Sequence, residues 1–586
     1  MKALKYLLIA AGSLVVLAGL VIAVIAATFD PNKYKPDIAA LVKEKTGRTL
    51  TMEGRIGLSF FPGIGAVVGK ISLSEPGSGK IFAKLDEAKL SLALMPLFSR
   101  RVVVDRVTLS GLTVDLVQRK GGRTNFGDLA GAGGQPARAA APKAAPPGAA
   151  ISFDVGGIEV RSSAIGWRDE SSGTELKASV AEFKTGRIAS GVPGKLSLSA
   201  RIEEAKPPIK LRVELSSGYR FDFEKQSFAF SGVDLRLANE APGGAGSATS
   251  LKGDAEFDLA PSAVRFDLAI DRFNLDRYLP PAKAGAGGGA RPGGKARAGA
   301  AGGAETPIDL SALKDLNLKG ALRIGELTAS NVKAEKISMG LRAAGGRLEV
   351  NPLAASLYRG SLAGNASVNA NANQFAMKSQ LTGVAIGPLL RDALGKDLLE
   401  GAGNVALDLR ASGNTVGAMK KALSGSANLA LKDGAIKGIN LTEVLRKAKS
   451  LSGAKPTSEQ VASNSERTDF AELGASFVIK NGVAHNEDLS GKSPLLRLTG
   501  SGDVNVGADS LDYLVKASVV ATSAGQGGRE LADLRGLTVP VRITGPLDAP
   551  KFRVDFGTAA GQAVRQRAEE KVKERLQDKL KGLFGR

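Results

Sequence analysis

From Leu496 to Val506 the chain alternates without a break. Leu496, Leu498, Gly500, Gly502, Val504 and Val506 hold one parity, and Arg497, Thr499, Ser501, Asp503 and Asn505 hold the other. Successive side chains of a strand point to opposite faces, so such a segment suits a strand with one dry face and one wet face. The same period of two runs through Tyr358, Gly360, Leu362, Gly364, Ala366 and Val368, and through Leu511, Tyr513, Val515, Ala517 and Val519. Turn signals at Lys432-Asp433-Gly434, Lys480-Asn481-Gly482 and Gly507-Ala508-Asp509-Ser510 predict consecutive antiparallel hairpins, a β-meander of many strands. Helices are few. Lys35 to Thr46 places Ile38, Leu41 and Val42 at helical spacing before a stop at Gly47, Leu441 to Ser450 is a second short candidate, and Ala559 to Phe584 is the last.

A sheet with one apolar face has to cover that face. A sandwich or barrel core is one solution. The other is a long curved sheet whose concave apolar face is a groove, filled part of the time from outside the protein. Alternation alone leaves both open.

The uncharged run Leu7 to Phe29 is the other strong constraint. At about 1.5 Å per helical residue it matches the roughly 30 Å of a hydrocarbon core, so it reads as a single transmembrane signal anchor, with Leu7, Leu17, Val21 and Phe29 among its residues. A cleavable signal peptide competes, given Lys2, Lys5 and the small pair Ala26 and Ala27, but the run exceeds the usual h-region of about 7 to 15 residues. Lys33 and Lys35 balance Lys2 and Lys5, leaving the free amino terminus and Asp30 to favour a cytoplasmic N-terminus with the bulk of the chain outside the cytoplasm.

Composition narrows the chemistry. The chain has no cysteine, which excludes disulfides, thiol nucleophiles and thiolate metal sites, and its single histidine, His485, sits in a polar hairpin-end sequence that suits a surface residue. A net charge of +21 would suggest nucleic acid for a cytosolic protein. The anchor removes that partner, and with aromatic residues at 5% the interleaved basic and aromatic pattern of a single-strand binder is missing. Solubility, or an anionic lipid or envelope surface, remains.

Two low-complexity stretches, Gly131 to Ala150 and about Pro281 to Gly303, carry too few large apolar residues to bury and read as linkers or loops. They divide the chain into an anchor (1–29), a first β region (30–130), a linker (131–150), a middle β region (151–280), a second linker (281–307), a third β region (308–556) and a terminal amphipathic helix (557–586).

Several motifs resemble the AsmA family, which includes the larger TamB-like proteins. They are Thr46-Gly47-Arg48, the segment Gly54 to Pro62, Met95-Pro96-Leu97-Phe98, and Gly121 to Leu129, in which Phe126 stands where the family often has Trp. Leu357 to Gly364, Leu423 to Leu429, Asp433 to Leu441, and Thr538 to Phe552 are similar to the same family; residues 151 to 300 match it poorly. The resemblance implies a mainly β fold, a long curved antiparallel sheet forming an apolar groove, between an N-terminal transmembrane helix and a C-terminal amphipathic helix. It also implies an inner-membrane protein of a Gram-negative envelope, projecting into the periplasm, associated with outer-membrane biogenesis and lipid homeostasis.

The expected cargo is phospholipid or another acyl-chain lipid, carried without bond making. Water-exposed acyl chain costs about 0.8 kcal/mol per methylene, which even a partly covered groove would offset. Tyr358, Leu362, Val368, Leu496, Leu498, Val504 and Val506 are the expected lining. Roughly 25 to 30 strands at about 4.8 Å would make a groove on the order of 120 to 145 Å, enough to call for a partner, a multimer or a shuttle role in a wide periplasm. Outer-membrane or periplasmic proteins are the further partners. On the terminal helix, Val572, Leu576, Leu580, Leu583 and Phe584 form an apolar face suited to an anionic membrane, to capping a sheet edge, or to an ordinary surface helix. No cofactor and no catalysis are expected, since there is no phosphate-binding loop, no His-Glu-x-x-His helix and no nucleophile elbow. The alternative is a scaffold for outer-membrane protein assembly, using an open sheet edge to pair with a nascent strand.

Overall fold

The computed structural model describes residues 30–59, 64–93, 104–128, 154–204, 209–240, 248–260, 262–277, 307–443, 457–461, 463–520, 538–547, 550–555 and 572. The run Leu7–Phe29, both low-complexity stretches, Met95 to Phe98 and the terminal helix, apart from a helical Val572, lie outside these residues. No helix among the described residues is long and apolar enough to cross a membrane.

The described chain is mainly β, with 29 strands. Its helices are short: α1 (Lys35–Thr46), α2 (Ser311–Lys314), α3 (Ile386–Leu394) and α4 (Val416–Lys421). Helix α1 ends where the sequence predicts, at Gly47, whose φ of 69° gives the left-handed C-cap that glycine adopts without a Cβ penalty. Of the second helical candidate, residues 441–443 are helical and the remainder lies outside the described residues. The chain forms two compact units, 1–270 and 271–586.

The sheet is mixed, where the sequence predicts antiparallel pairing throughout. In the first unit, Val104–Ser110 and Thr113–Gln118 run parallel to Ile158–Asp169. A parallel neighbour needs a crossover connection rather than a tight turn, and the chain from Arg119 to Gly157 supplies one. Elsewhere in this unit successive long strands pair antiparallel, from Ile158–Asp169 through to Ala263–Asn274.

In the second unit the strands from Leu318–Ala329 to Ser424–Gly438 form a meander. Lys480-Asn481-Gly482 and Gly507 to Ser510 join neighbouring strands as predicted. Lys432-Asp433-Gly434 does not turn. It lies inside Ser424–Gly438 at a bulge, where Asp433 takes a φ of 48° and a Cβ on Gly434 would strike the Glu400 carbonyl.

The last strands close on themselves. Ser463–Lys480 pairs in turn with Val483–Lys492, and the order continues through Leu496–Asn505, Ser510–Val519, Thr538–Pro546 and Lys551–Asp555. Lys551–Asp555 then pairs with Thr457–Val461, the segment that leads directly into Ser463–Lys480. Among the described residues this brings the last strand back beside the first of the series, with Lys551–Asp555 as the one partner strand of Thr457–Val461.

Candidate apolar face

The register of the first unit lines up one apolar residue on each of eleven strands. Ile56 stands opposite Val68, then Ala88, Leu109, Val160, Phe183, Leu198, Leu215, Leu235, Leu251 and Ile270 follow across the sheet. Cross-strand partners share a face, so the row is one continuous apolar strip. All eleven are half-buried and none is sealed. A neighbouring row on the opposite face runs Glu87, Ser110, Arg161, Glu182, Ser199, Glu214, Arg236 and Ser250, polar at every strand. The middle region, residues 151–280, carries the longest regular part of the strip, from Val160 to Ile270.

Beside that row, Tyr219 and Phe221 stack at 4.6 Å between centroids, with Phe228, Phe230 and Phe257 edge-on or tilted nearby. Tyr219 is buried because its hydroxyl donates to the Gly186 and Arg187 carbonyls at 2.9 and 3.1 Å. Burial pushes its pKa up.

The second unit has a comparable row from Leu341 through Val350, Ala366, Met377, Leu409, Gly425, Ile479, Ala484 and Val504 to Leu511. The ladder brings the sequence-predicted strand positions Leu362, Val368, Leu496, Leu498 and Val504 to this same face, but their surroundings differ. Val504 and Val506 are half-buried. Val368 lines a cleft of about 330 Å³ with Phe375 and Ala411. Leu362 and Tyr358 pack into a core built by Leu381, Val384, Leu431 and Phe470 together with Ile386, Leu389 and Leu390 of α3. Tyr358 precedes its strand at a φ of 45°, and its hydroxyl donates to Asp392 Oδ2 at 2.8 Å while accepting the Lys333 N–H at 3.1 Å. That fixes α3 over the sheet.

Leu496 and Leu498 are sealed, 0% and 1% exposed. They lie inside the last series of strands, packed with Ala517, Val539, Val541, Phe552 and Val554. Ile439 and Leu441 complete this core, stitched to it by Thr468, which accepts the Leu441 N–H at 2.9 Å and donates to the Ile439 carbonyl at 2.7 Å. An acyl chain finds no free surface there. Further along the same interior, the Tyr513 ring lies against Gly500 and Gly502, where a Cβ at either would strike it, and its hydroxyl donates to Asn486. Asn486 Nδ2 in turn donates to the Ser476 carbonyl at 2.9 Å and Asp488 Oδ1 at 2.6 Å. This polar layer lies between the sealed core and the half-buried Val504 and Leu511.

Sequence patterning did not single out the polar cluster of the first unit. Arg48 is fully buried, paired with Asp128 and lying 4.3 Å above the Phe82 ring. Asn125 sits beside it, donating to Glu75 Oε1 at 3.0 Å and the Asp115 carbonyl at 2.8 Å, and accepting the Val117 N–H. Two motifs noted only for their resemblance, around Arg48 and around Asn125, thus meet in space. No cluster of histidine, aspartate or glutamate that could hold a metal occurs among the described residues.

Fold and face together define a large amphipathic β-sheet protein whose distinguishing chemistry is a strip of apolar surface. The AsmA family model matches residues 1–241 and 245–489, and the chain belongs to the AsmA family. It is similar to Protein AsmA of Escherichia coli (strain K12), 22% identical over 561 residues that cover 88% of each chain. No solved structure matches it.

Proposed function

We propose that the protein is anchored in the inner membrane by Leu7–Phe29 and carries or bridges phospholipid along the apolar face of its periplasmic sheet, serving outer-membrane biogenesis and lipid homeostasis. The observation that carries this reading is the row of eleven half-buried apolar side chains from Ile56 to Ile270, backed by a polar opposite face. Acyl chains lie along the strip, each sheltered methylene gaining up to about 0.8 kcal/mol over water, while headgroups stay in solvent. No bond is made or broken, and no catalytic group or cofactor is required.

The scaffold alternative needs an open edge. At the first edge, Lys35 Nζ donates to the Gly54 carbonyl at 2.6 Å, and Asn32 exchanges hydrogen bonds with the backbone of Ile56, so α1 and the turn before it occupy backbone groups that a nascent strand would use. Native mass spectrometry with lipid extraction of the purified chain tests the reading, beside Leu215→Glu and Leu235→Glu. Phospholipid on the parent chain and its loss from folded variants is expected. A parent chain free of lipid in every preparation would overturn it.

A further inference from the structure

Helix α1 turns apolar residues in two directions. Ala39, Val42 and Thr46 are half-buried, and the helix meets the first strand, Leu50–Met52. Ile38 and Leu41 point elsewhere, 40% and 55% exposed, with Tyr34 exposed on the same side. At 100° per residue these three fall within about 60° of arc. Ile38 and Leu41 of α1, with Tyr34 of the turn before it, make a small exposed apolar stripe flanked by the exposed carboxylates Asp37 and Glu44.

The position of the stripe points to an occupant. The described chain begins at Asp30, immediately after the run Leu7–Phe29, so α1 is the first helix beyond the membrane if that run is the anchor. Exposed Lys45 lies within the arc of the stripe, 3.9 Å from Glu44 Oε1, and its long stem lets the ammonium reach the headgroups. The helix is also held in register with the sheet. Besides the Gly54 bond, Lys35 Nζ reaches the Met52 carbonyl at 3.4 Å, and the Ile56 N–H donates to Asn32 Oδ1 at 2.8 Å. Ile56 is the first residue of the eleven-strand apolar row.

We propose that α1 lies in the interface of the bilayer with Ile38 and Leu41 among the acyl chains, and so seats the Ile56 end of the apolar row at the membrane surface. A lipid leaving the leaflet then meets the strip without first crossing water. This inference rests on the reading of Leu7–Phe29 as a membrane anchor.

The absence of cysteine makes single labels clean. The full chain, carrying Ile38→Cys, Leu41→Cys, Ala40→Cys or Lys43→Cys labelled with an environment-sensitive nitrobenzoxadiazole, is reconstituted into phosphatidylethanolamine and phosphatidylglycerol vesicles containing doxyl-labelled lipid. Loss of most of the emission at positions 38 and 41, with little loss at 40 and 43, is expected. Chain that floats with the vesicles while all four positions remain unquenched would overturn the seating of α1 and leave the anchor standing. Chain that fails to float would overturn both.

Discussion

Arg48 and Asp128 stand 80 residues apart in the chain and form a bidentate pair, Nε to Oδ2 at 2.8 Å and Nη2 to Oδ1 at 2.6 Å. The guanidinium also donates to the carbonyls of Asn125 at 2.8 Å and Ser74 at 3.2 Å, which nearly exhausts its donors. The pair therefore ties the end of α1 to the segment that follows Thr113–Gln118.

Asp128→Asn leaves a buried cation without its countercharge and is expected to cost about 3 kcal/mol, the low end for such a break because Asp128 is a third exposed. Arg48→Met combined with Asp128→Leu removes both charges and should be less damaging than Asp128→Asn alone. Urea unfolding followed by Trp167, the only tryptophan and 6.0 Å from the Phe126 ring, reads this corner directly. An unshifted midpoint in Asp128→Asn would show that the pair does not hold the two segments together.

Filled core and open strip should respond oppositely to truncation. Leu498→Ala empties space in a sealed core and is expected to cost about 2 to 5 kcal/mol, whereas Leu215→Ala on the half-buried row should cost about 1 kcal/mol or less. Lipid retention should rank the other way, reduced by Leu215→Glu and unchanged by Leu498→Ala at temperatures where that variant stays folded. Equal stability losses at the two positions would mean that the row is as sealed as the core.

The parity of the strands was legible because period two is a local property, and Leu496, Leu498 and Val504 do share a face. Which of them is covered was not legible, since the cover comes from Phe552 and Val554 on one side and Ile439 and Leu441 on the other, residues remote in the chain that no local pattern encodes. Lys432-Asp433-Gly434 misled for a related reason. The same left-handed residue serves a turn or a bulge, and the neighbouring strand decides which. The Arg48 cluster left no periodic signal, because buried polar groups are set by partners remote in sequence.

Tyr513 makes the interior of the closed end sensitive to alkali. Burial pushes its pKa up from 10.0 to about 12, with Asp488 adding to the shift. A group whose folded pKa is raised gives stability that is complete below the unfolded value and is lost as pH rises through the folded one, so stability should fall between pH 10 and about 12. Tyr513→Phe should reduce that slope, with Tyr219 and Tyr358, whose pKa values burial also raises, keeping their shares, while costing about 1 to 3 kcal/mol at neutral pH, since Asn486 Oδ1 loses its donor. Calorimetry of both chains across this range checks it; identical alkaline slopes would exclude Tyr513 as the source.

His485 offers a probe of the opposite, polar face. Asp503 Oδ1 lies 2.6 Å from its Nδ1 and Glu487 Oε1 3.2 Å from its Nε2, so hydrogen bonding first to Asp503 and then to Glu487 holds its pKa above 6.5. The imidazolium's contribution to stability is therefore complete below pH 6.5 and fades as pH rises through the folded value. As the only histidine it gives a single resonance in a selectively labelled sample. Asp503→Asn should bring the midpoint down toward 6.5, and Glu487→Gln should lower it less. A parent midpoint at or below 6.5 would mean that the two carboxylates do not grip the ring, and that this cross-strand pair contributes nothing to the register of Val483–Lys492 against Leu496–Asn505.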